Sequence, residues 1–199
     1  MSVEPLLRGI RSAVQFVLVP GIGGSDAEHW QSRWQDALGP RALRIRPASW
    51  DEPDAEDWVA AIDAAVTETS VLVAHSLGCL AVAAWSARLN GRARPLGAFL
   101  VAAPDPGAPS FPARAHGFDA PSAPLDLPGL LISSSDDPYC QPERSRQLGT
   151  AWRTPVLDVG AHGHLNGASN LGDWCEGQRL LVAFLAGMPG DRTPVGSRR

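Results

Sequence analysis

The apolar run Val71-Leu72-Val73 leads straight into Ala74-His75-Ser76-Leu77-Gly78, and a helix-like stretch follows at once. A serine between a strand and a helix, with small residues two positions to either side, has the form of a nucleophile elbow. The strained turn needs those small neighbours so that the Ser76 hydroxyl can project clear of the sheet. Alanine stands at 74 where glycine is usual, and it is still small enough for the turn.

The rest of the chain supplies matching elements. Val14 to Pro20 reads as a buried strand ending in Gly21-Ile22-Gly23-Gly24. Ser25-Asp26-Ala27-Glu28 then has capping-box form, with Ser25 placed to bond the Glu28 backbone N–H. Trp30, Trp34 and Leu38 recur at i, i+4, i+8 as one apolar helix face. Ala42 to Pro47 is a weaker strand, and Asp54 caps a helix carrying Trp58, Val59, Ile62, Ala65 and Val66. The elbow helix is expected to run from Leu77 to Leu89 and close at Asn90-Gly91. Further strands are expected at Gly97–Ala102, Gly129–Ser134 and Pro155–Val159. A last helix runs from Asp173 to Ala186, with Leu180, Leu181, Phe184 and Leu185 inward.

Strands alternating with helices predict the α/β class, a mostly parallel central sheet with helices on both faces. At 199 residues the chain is long enough for one domain and little more. That domain is expected over residues 14–187, with 1–13 and 188–199 as loosely ordered tails. Ala103 to Pro128 breaks the alternation, with seven prolines and no clear period. It is either an irregular surface connection or a semi-rigid loop over the site, in place of a separate cap domain.

Composition removes several function classes. A net charge of −4 argues against a nucleic-acid partner, which calls for a basic face. All 17 basic side chains are arginine. Without lysine there is no pyridoxal Schiff base, P-loop or Ser–Lys dyad, because each needs an amine. The three cysteines (Cys79, Cys140, Cys175) are widely spaced and propose no disulfide or zinc framework. No apolar run is long enough to span a membrane, and the N-terminus lacks a signal-peptide core. The expected location is the cytoplasm, with no membrane partner.

In a parallel sheet, ligands sit beyond the carboxyl ends of the strands. Serine needs a base within hydrogen-bond reach, and the base needs an orienting group. On an elbow fold these follow in the order Ser…Asp…His, each at a strand end. Asp136-Asp137 follows the Gly129 strand, and His162-Gly163-His164 follows the Pro155 strand. Neighbouring residues of an extended turn point in opposite directions, so one of the two aspartates should face the base. His164 is preferred over His162, and His75 is expected to pack or hydrogen-bond. His29 and His116 carry no special signal. The oxyanion donors are expected to be the backbone N–H groups of Leu77 and Ile22. Of the seven tryptophans, Trp30, Trp58 and Trp85 fall on core stripes. Gly21, Trp50 and Trp174, near the catalytic edge, are the candidate substrate-binding residues.

Val-Pro-Gly-x-Gly-Gly-Ser at 19–25, Ala-His-Ser-x-Gly at 74–78, Asp-Asp-Pro at 136–138 and Gly-His at 163–164 resemble the retinoblastoma-binding protein 9/YdeN-like serine hydrolases. Trp-Asp-x-Pro at 50–53 and Gly-Asp-Trp at 172–174 are similar to bacterial members in particular. The resemblance covers residues 16–185 and implies a single-domain α/β-hydrolase fold without a cap. It implies a Ser76, His164, Asp137 triad, and so selects Asp137 over Asp136. It further implies hydrolysis of a small acyl substrate, an ester foremost, through an acyl-enzyme intermediate, with no metal or cofactor. An aminopeptidase, amidase or thioesterase on the same triad, or a noncatalytic binding protein, is the alternative.

Overall fold

Strands buried on both faces read as unbroken apolar runs, and Phe16–Val19 and Val71–Ala74 are fully buried along their whole length. The computed structural model of the protein describes residues 13–89 and 94–188. Its strands are β1 (Gln15–Val19), β2 (Ala42–Arg44), β3 (Ser70–His75), β4 (Gly97–Val101), β5 (Gly129–Ser133) and β6 (Val156–Asp158). They form one sheet in the order β2-β1-β3-β4-β5-β6, and every pairing is parallel. The chain leaves β1 for one edge and returns to place β3 on the other side of β1. The strand order therefore reverses between β1 and β3, and the crevice at such a switch point is where open α/β sheets bind ligands.

Alternate strand residues serve two cores. Phe16, Leu18, Val71, Val73, Phe99 and Ile132 pack with α1 (Trp30–Leu38) and α5 (Cys175–Ala186). Val17, Val19, Leu72, Leu100 and Leu131 pack on the opposite face with α2 (Ala55–Ala65), α3 (Leu77–Ser86) and α4 (Pro142–Trp152). This is a single-domain α/β sandwich of the expected class. All but residues 13 and 188 of the expected tails (1–13 and 188–199), and the Asn90-Gly91 helix stop, lie outside the described residues.

Local chemistry moved some boundaries. Asp54 caps α2 as expected, accepting the Asp57 N–H at 3.0 Å. The capping box at Ser25 does not form, because Ser25 takes φ 60° and turns its hydroxyl to Gln31 Oε1. Asp26 Oδ1 accepts the N–H groups of Glu28 and His29 instead, each at 2.9 Å. That extra turn delays the helix, and His29 becomes the N-cap of α1. Helix α4 has no apolar stripe in the sequence to announce it. Its buried face is Ser145, Leu148, Gly149 and Trp152, with too few large apolar residues to show a stripe. Gly149 lets it lie against the sheet, since a Cβ there would fall 2.2 Å from Val156 Cγ2.

The proline-rich segment holds neither helix nor strand between 102 and 128. It is tied down nonetheless. Phe118 and Leu125 enter the α2–α3–α4 core, and Trp152 Nε1–H donates to the Pro121 carbonyl at 2.9 Å.

Helix α3 passes so close to the end of β1 that a Cβ at Gly78 would lie 2.2 Å from the Val19 carbonyl oxygen and 2.6 Å from that of Pro20. Backbone cannot yield as a side-chain tip can. Gly78→Ala should therefore destabilise the protein by about 1–3 kcal/mol or more, read as a lower urea midpoint.

Candidate active site

The site begins with backbone strain. Ser76 sits at φ 53°, ψ −125°, between the last residue of β3 and the first of α3. A non-glycine residue held there costs on the order of 1–3 kcal/mol. The neighbours permit it. Ala74 is fully buried in the α2–α3–α4 core, so its methyl group packs where a glycine would leave space. Gly21 faces the serine, and a Cβ on it would fall 2.8 Å from Ser76 Cβ.

Ser76 Oγ lies 2.7 Å from His164 Nε2. His164 Nδ1 lies 2.9 Å from both carboxylate oxygens of Asp137. A carboxylate only accepts, so Nδ1 carries the imidazole proton and Nε2 is left to accept from the serine. All three side chains are buried. Asp137 Oδ1 also accepts the Tyr139 N–H at 2.9 Å, and the Tyr139 ring packs 4.5 Å from that of His164.

Asp136 points the other way and is exposed. Its Oδ1 accepts the Gly163 N–H at 2.7 Å and the Ser134 hydroxyl at 2.9 Å, and the first of these bonds lowers its pKa most. Ser134 Oγ in turn accepts the His162 N–H at 2.9 Å. This carboxylate therefore laces the Asp137 loop to the His164 loop, while the exposed His162 ring stays outside the chain of contacts.

Two buried rings grip the His164 loop from the other side. His75 Nε2–H donates to the His164 carbonyl at 2.9 Å, and Trp30 Nε1–H donates to the Leu165 carbonyl at 2.8 Å. Burial holds the His75 pKa well below its usual range, so this ring is neutral.

The loop after β1 is clamped as well. The Arg44 guanidinium donates to the Gly24 and Ser25 carbonyls, to Ser32 Oγ at 2.8 Å and to Gln35 Oε1 at 2.9 Å. The N–H groups of Ile22 and Leu77 make no hydrogen bond among the described residues, and both residues line the cavity in front of Ser76. That cavity measures about 380 Å³. Its walls include Gly21, Ser25, Asp26, His29, Pro104, Pro112, Tyr139, Asn166 and Gly167.

The two expected tryptophans lie elsewhere. Trp50 packs edge-on against Trp58 and covers Gly24, where a Cβ would fall 3.0 Å from its ring. Trp174 is buried between Trp30 and Trp34, at 5.0 and 5.9 Å between ring centroids. Neither is among the residues lining the cavity. Three that do line it, Asp26, His29 and Asn166, gave no sequence signal, because each sits in a loop without periodicity.

Ser76, His164 and Asp137, hydrogen-bonded in series at the ends of β3, β6 and β5, make the comparison with known proteins specific. Residues 16–183 match the family model described as serine hydrolase. The chain belongs to the serine hydrolase family. Among solved structures it is similar to a protein described as a YdeN-like hydrolase from Pectobacterium atrosepticum. That match has 31% identity and a TM-score of 0.79, over 95% of this chain and 100% of the other. The ydeN gene product of B. subtilis matches at 22% identity and TM-score 0.72, over 87% of this chain and 99% of the other. The type II thioesterase BorB, at 15% identity and TM-score 0.66 over 88% and 94%, shares the fold. No curated protein matches this sequence significantly.

Burial gives this hydrolase a calculable sensitivity to acid. The His29 pKa is lowered from 6.5 to about 4, chiefly by burial. Between those values the unfolded chain binds a proton that the folded chain does not. Stability is therefore intact above pH 6.5 and falls as the pH drops through this window, by up to about 3 kcal/mol. His75 adds a contribution of the same sign. The urea midpoint should drop between pH 7.5 and pH 4.5, and it should drop less in His29→Asn, which retains an N-cap acceptor.

Proposed function

We propose that the protein hydrolyses a small ester through an acyl-enzyme intermediate on Ser76. The observation that carries this is the continuous hydrogen-bonded path from Ser76 Oγ through His164 to Asp137. Ser76 Oγ attacks the scissile carbonyl carbon as its proton passes to His164 Nε2. The oxyanion so formed takes hydrogen bonds from the Ile22 and Leu77 N–H groups. Collapse breaks the ester bond, and the leaving alcohol receives the proton from His164. Water then attacks the acyl-enzyme with the same imidazole as base, releasing the acid and restoring Ser76. Asp137 holds the imidazole in the tautomer that this cycle needs. No metal or cofactor enters any step.

A small acyl substrate suits the size of the cavity, and Ile22, Leu77, Pro104 and Pro112 give it apolar walls. The three free thiols, Cys79, Cys140 and Cys175, suit the reducing cytoplasm as its location. Among the described residues, no helix is long and apolar enough to cross a membrane.

A second substrate class has one observation in its favour. Asp26 puts a carboxylate into the cavity wall, as an aminoacyl ester or amide would require. Matched propionyl and alanyl esters and anilides separate the two classes by their kcat/KM.

Ser76→Ala should lose on the order of 10⁶ in kcat and form no adduct with a fluorophosphonate probe. Folded wild-type protein that takes no label at Ser76 would instead point to a noncatalytic binding role. Asp137→Asn should lose on the order of 10⁴ in kcat through the wrong tautomer, while Asp136→Asn keeps most of the activity.

A further inference from the structure

Gln31 is fully buried at the start of α1, on the helix whose apolar stripe is Trp30, Trp34 and Leu38. Burying an amide is costly unless its polar atoms are paired, and methionine or leucine would fill similar space without that cost. Both polar atoms of Gln31 are paired, and the pairs join two parts of the site. A backbone carbonyl only accepts, so the amide nitrogen faces Val73 and donates to its carbonyl at 3.0 Å. The amide oxygen is thereby turned to Ser25, whose hydroxyl donates to it at 2.8 Å.

Val73 lies in β3, three residues before Ser76. Ser25 follows the loop Gly21-Ile22-Gly23-Gly24 and lines the cavity in front of Ser76. One side chain therefore reaches from the strand that leads into Ser76 to the far end of the loop carrying the Ile22 N–H.

That loop needs such a tie. Its near end is fixed by β1, but Gly23 and Gly24 take φ of 79° and 76°, and glycine leaves the backbone many alternatives. An N–H aimed at a developing oxyanion must be placed to within about 0.5 Å. Arg44 holds the Gly24 and Ser25 carbonyls to β2, at the edge of the sheet. The Gly23 N–H donates to the Trp50 carbonyl at 2.9 Å. Gln31 refers the same loop to β3, the strand that sets the position of Ser76. Ser25 itself sits at φ 60°, which is uncommon without glycine, and its hydroxyl bond to Gln31 helps to hold it there.

We propose that Gln31 is a positioning residue for the hydrolytic reaction, setting the place of the Ile22 N–H relative to Ser76 through Val73 and Ser25. The proposal rests on the ester reading above, in which that N–H meets the oxyanion. It gives the task to a side chain that is not part of the cavity wall.

The test compares p-nitrophenyl acetate with its thionoester, in which sulfur replaces the carbonyl oxygen. Sulfur accepts hydrogen bonds poorly, so the oxygen-to-sulfur ratio of kcat/KM reports how well the oxyanion donors are placed. A smaller folded fraction lowers both rates alike and leaves the ratio unmoved. Gln31→Met fills similar space without either hydrogen bond, and Ser25→Ala cuts the link at its other end without altering α1. Gln31→Met should lose about ten- to hundredfold in kcat on the oxygen ester, with KM changed less than about threefold. The ratio should fall by about tenfold in Gln31→Met and in the same direction in Ser25→Ala. Should Gln31→Met fail to fold, the ratio in Ser25→Ala decides. An unchanged ratio in either folded variant, with the ester still hydrolysed, overturns this proposal and leaves the ester reading standing. A wild-type protein that hydrolyses neither substrate overturns the ester reading and this proposal with it.

Discussion

The site depends on how closely the first turn of α3 can approach the end of β1. Gly78 lies so near the Val19 and Pro20 carbonyls that no side chain fits between them. Gly21 meets Ser76 across the same gap. These two close approaches bring Ser76 and the loop carrying the Ile22 N–H to one point, at the strand-order reversal between β1 and β3. The strained backbone of Ser76 is held between β3 and α3, with its N–H donating to the Val101 carbonyl of β4 at 2.9 Å.

His164 is positioned by the same logic from outside the strands. Its loop has no regular structure, yet it is held on two sides. His75 and Trp30 take its carbonyls at 164 and 165, while Ser134 and Asp136 take its N–H groups at 162 and 163. The tryptophans that look like mere core volume thus have a second task. Trp34 Nε1–H does likewise, donating to the Asp173 carbonyl at 2.8 Å ahead of α5. Rigid support of this kind keeps an imidazole aligned with both Ser76 and Asp137 before any substrate arrives.

Much of this was legible in the chain. Buried parallel strands announce themselves as apolar runs, as β1, β3 and β4 do, while the short edge strands β2 and β6 are only partly buried and still fall within a few residues of their expected positions. The small residues around Ser76 marked the elbow because the turn tolerates nothing larger. Asp136 and Asp137 could not be told apart by spacing, and only the resemblance chose between them. Helix α4 was hidden because it buries a serine and a glycine where a stripe would carry leucines. The start of α1 was misplaced because Ser25 adopts a left-handed conformation that a capping-box pattern does not foresee.

The sequence by itself determined the α/β class, the strand ends and the order in which Ser76, the aspartate pair and His164 follow at those ends, since these follow from periodicity and from steric limits on single turns. Only the tertiary structure decided which side chains line the cavity. Trp50 and Trp174 have the size and the loop context of substrate-binding residues, yet both are spent on packing. His29 carries no pattern at all, yet it stands in the cavity wall. The reason is physical. Which way a loop side chain faces depends on contacts with residues far away in sequence, and those exist only once the sheet has brought them together.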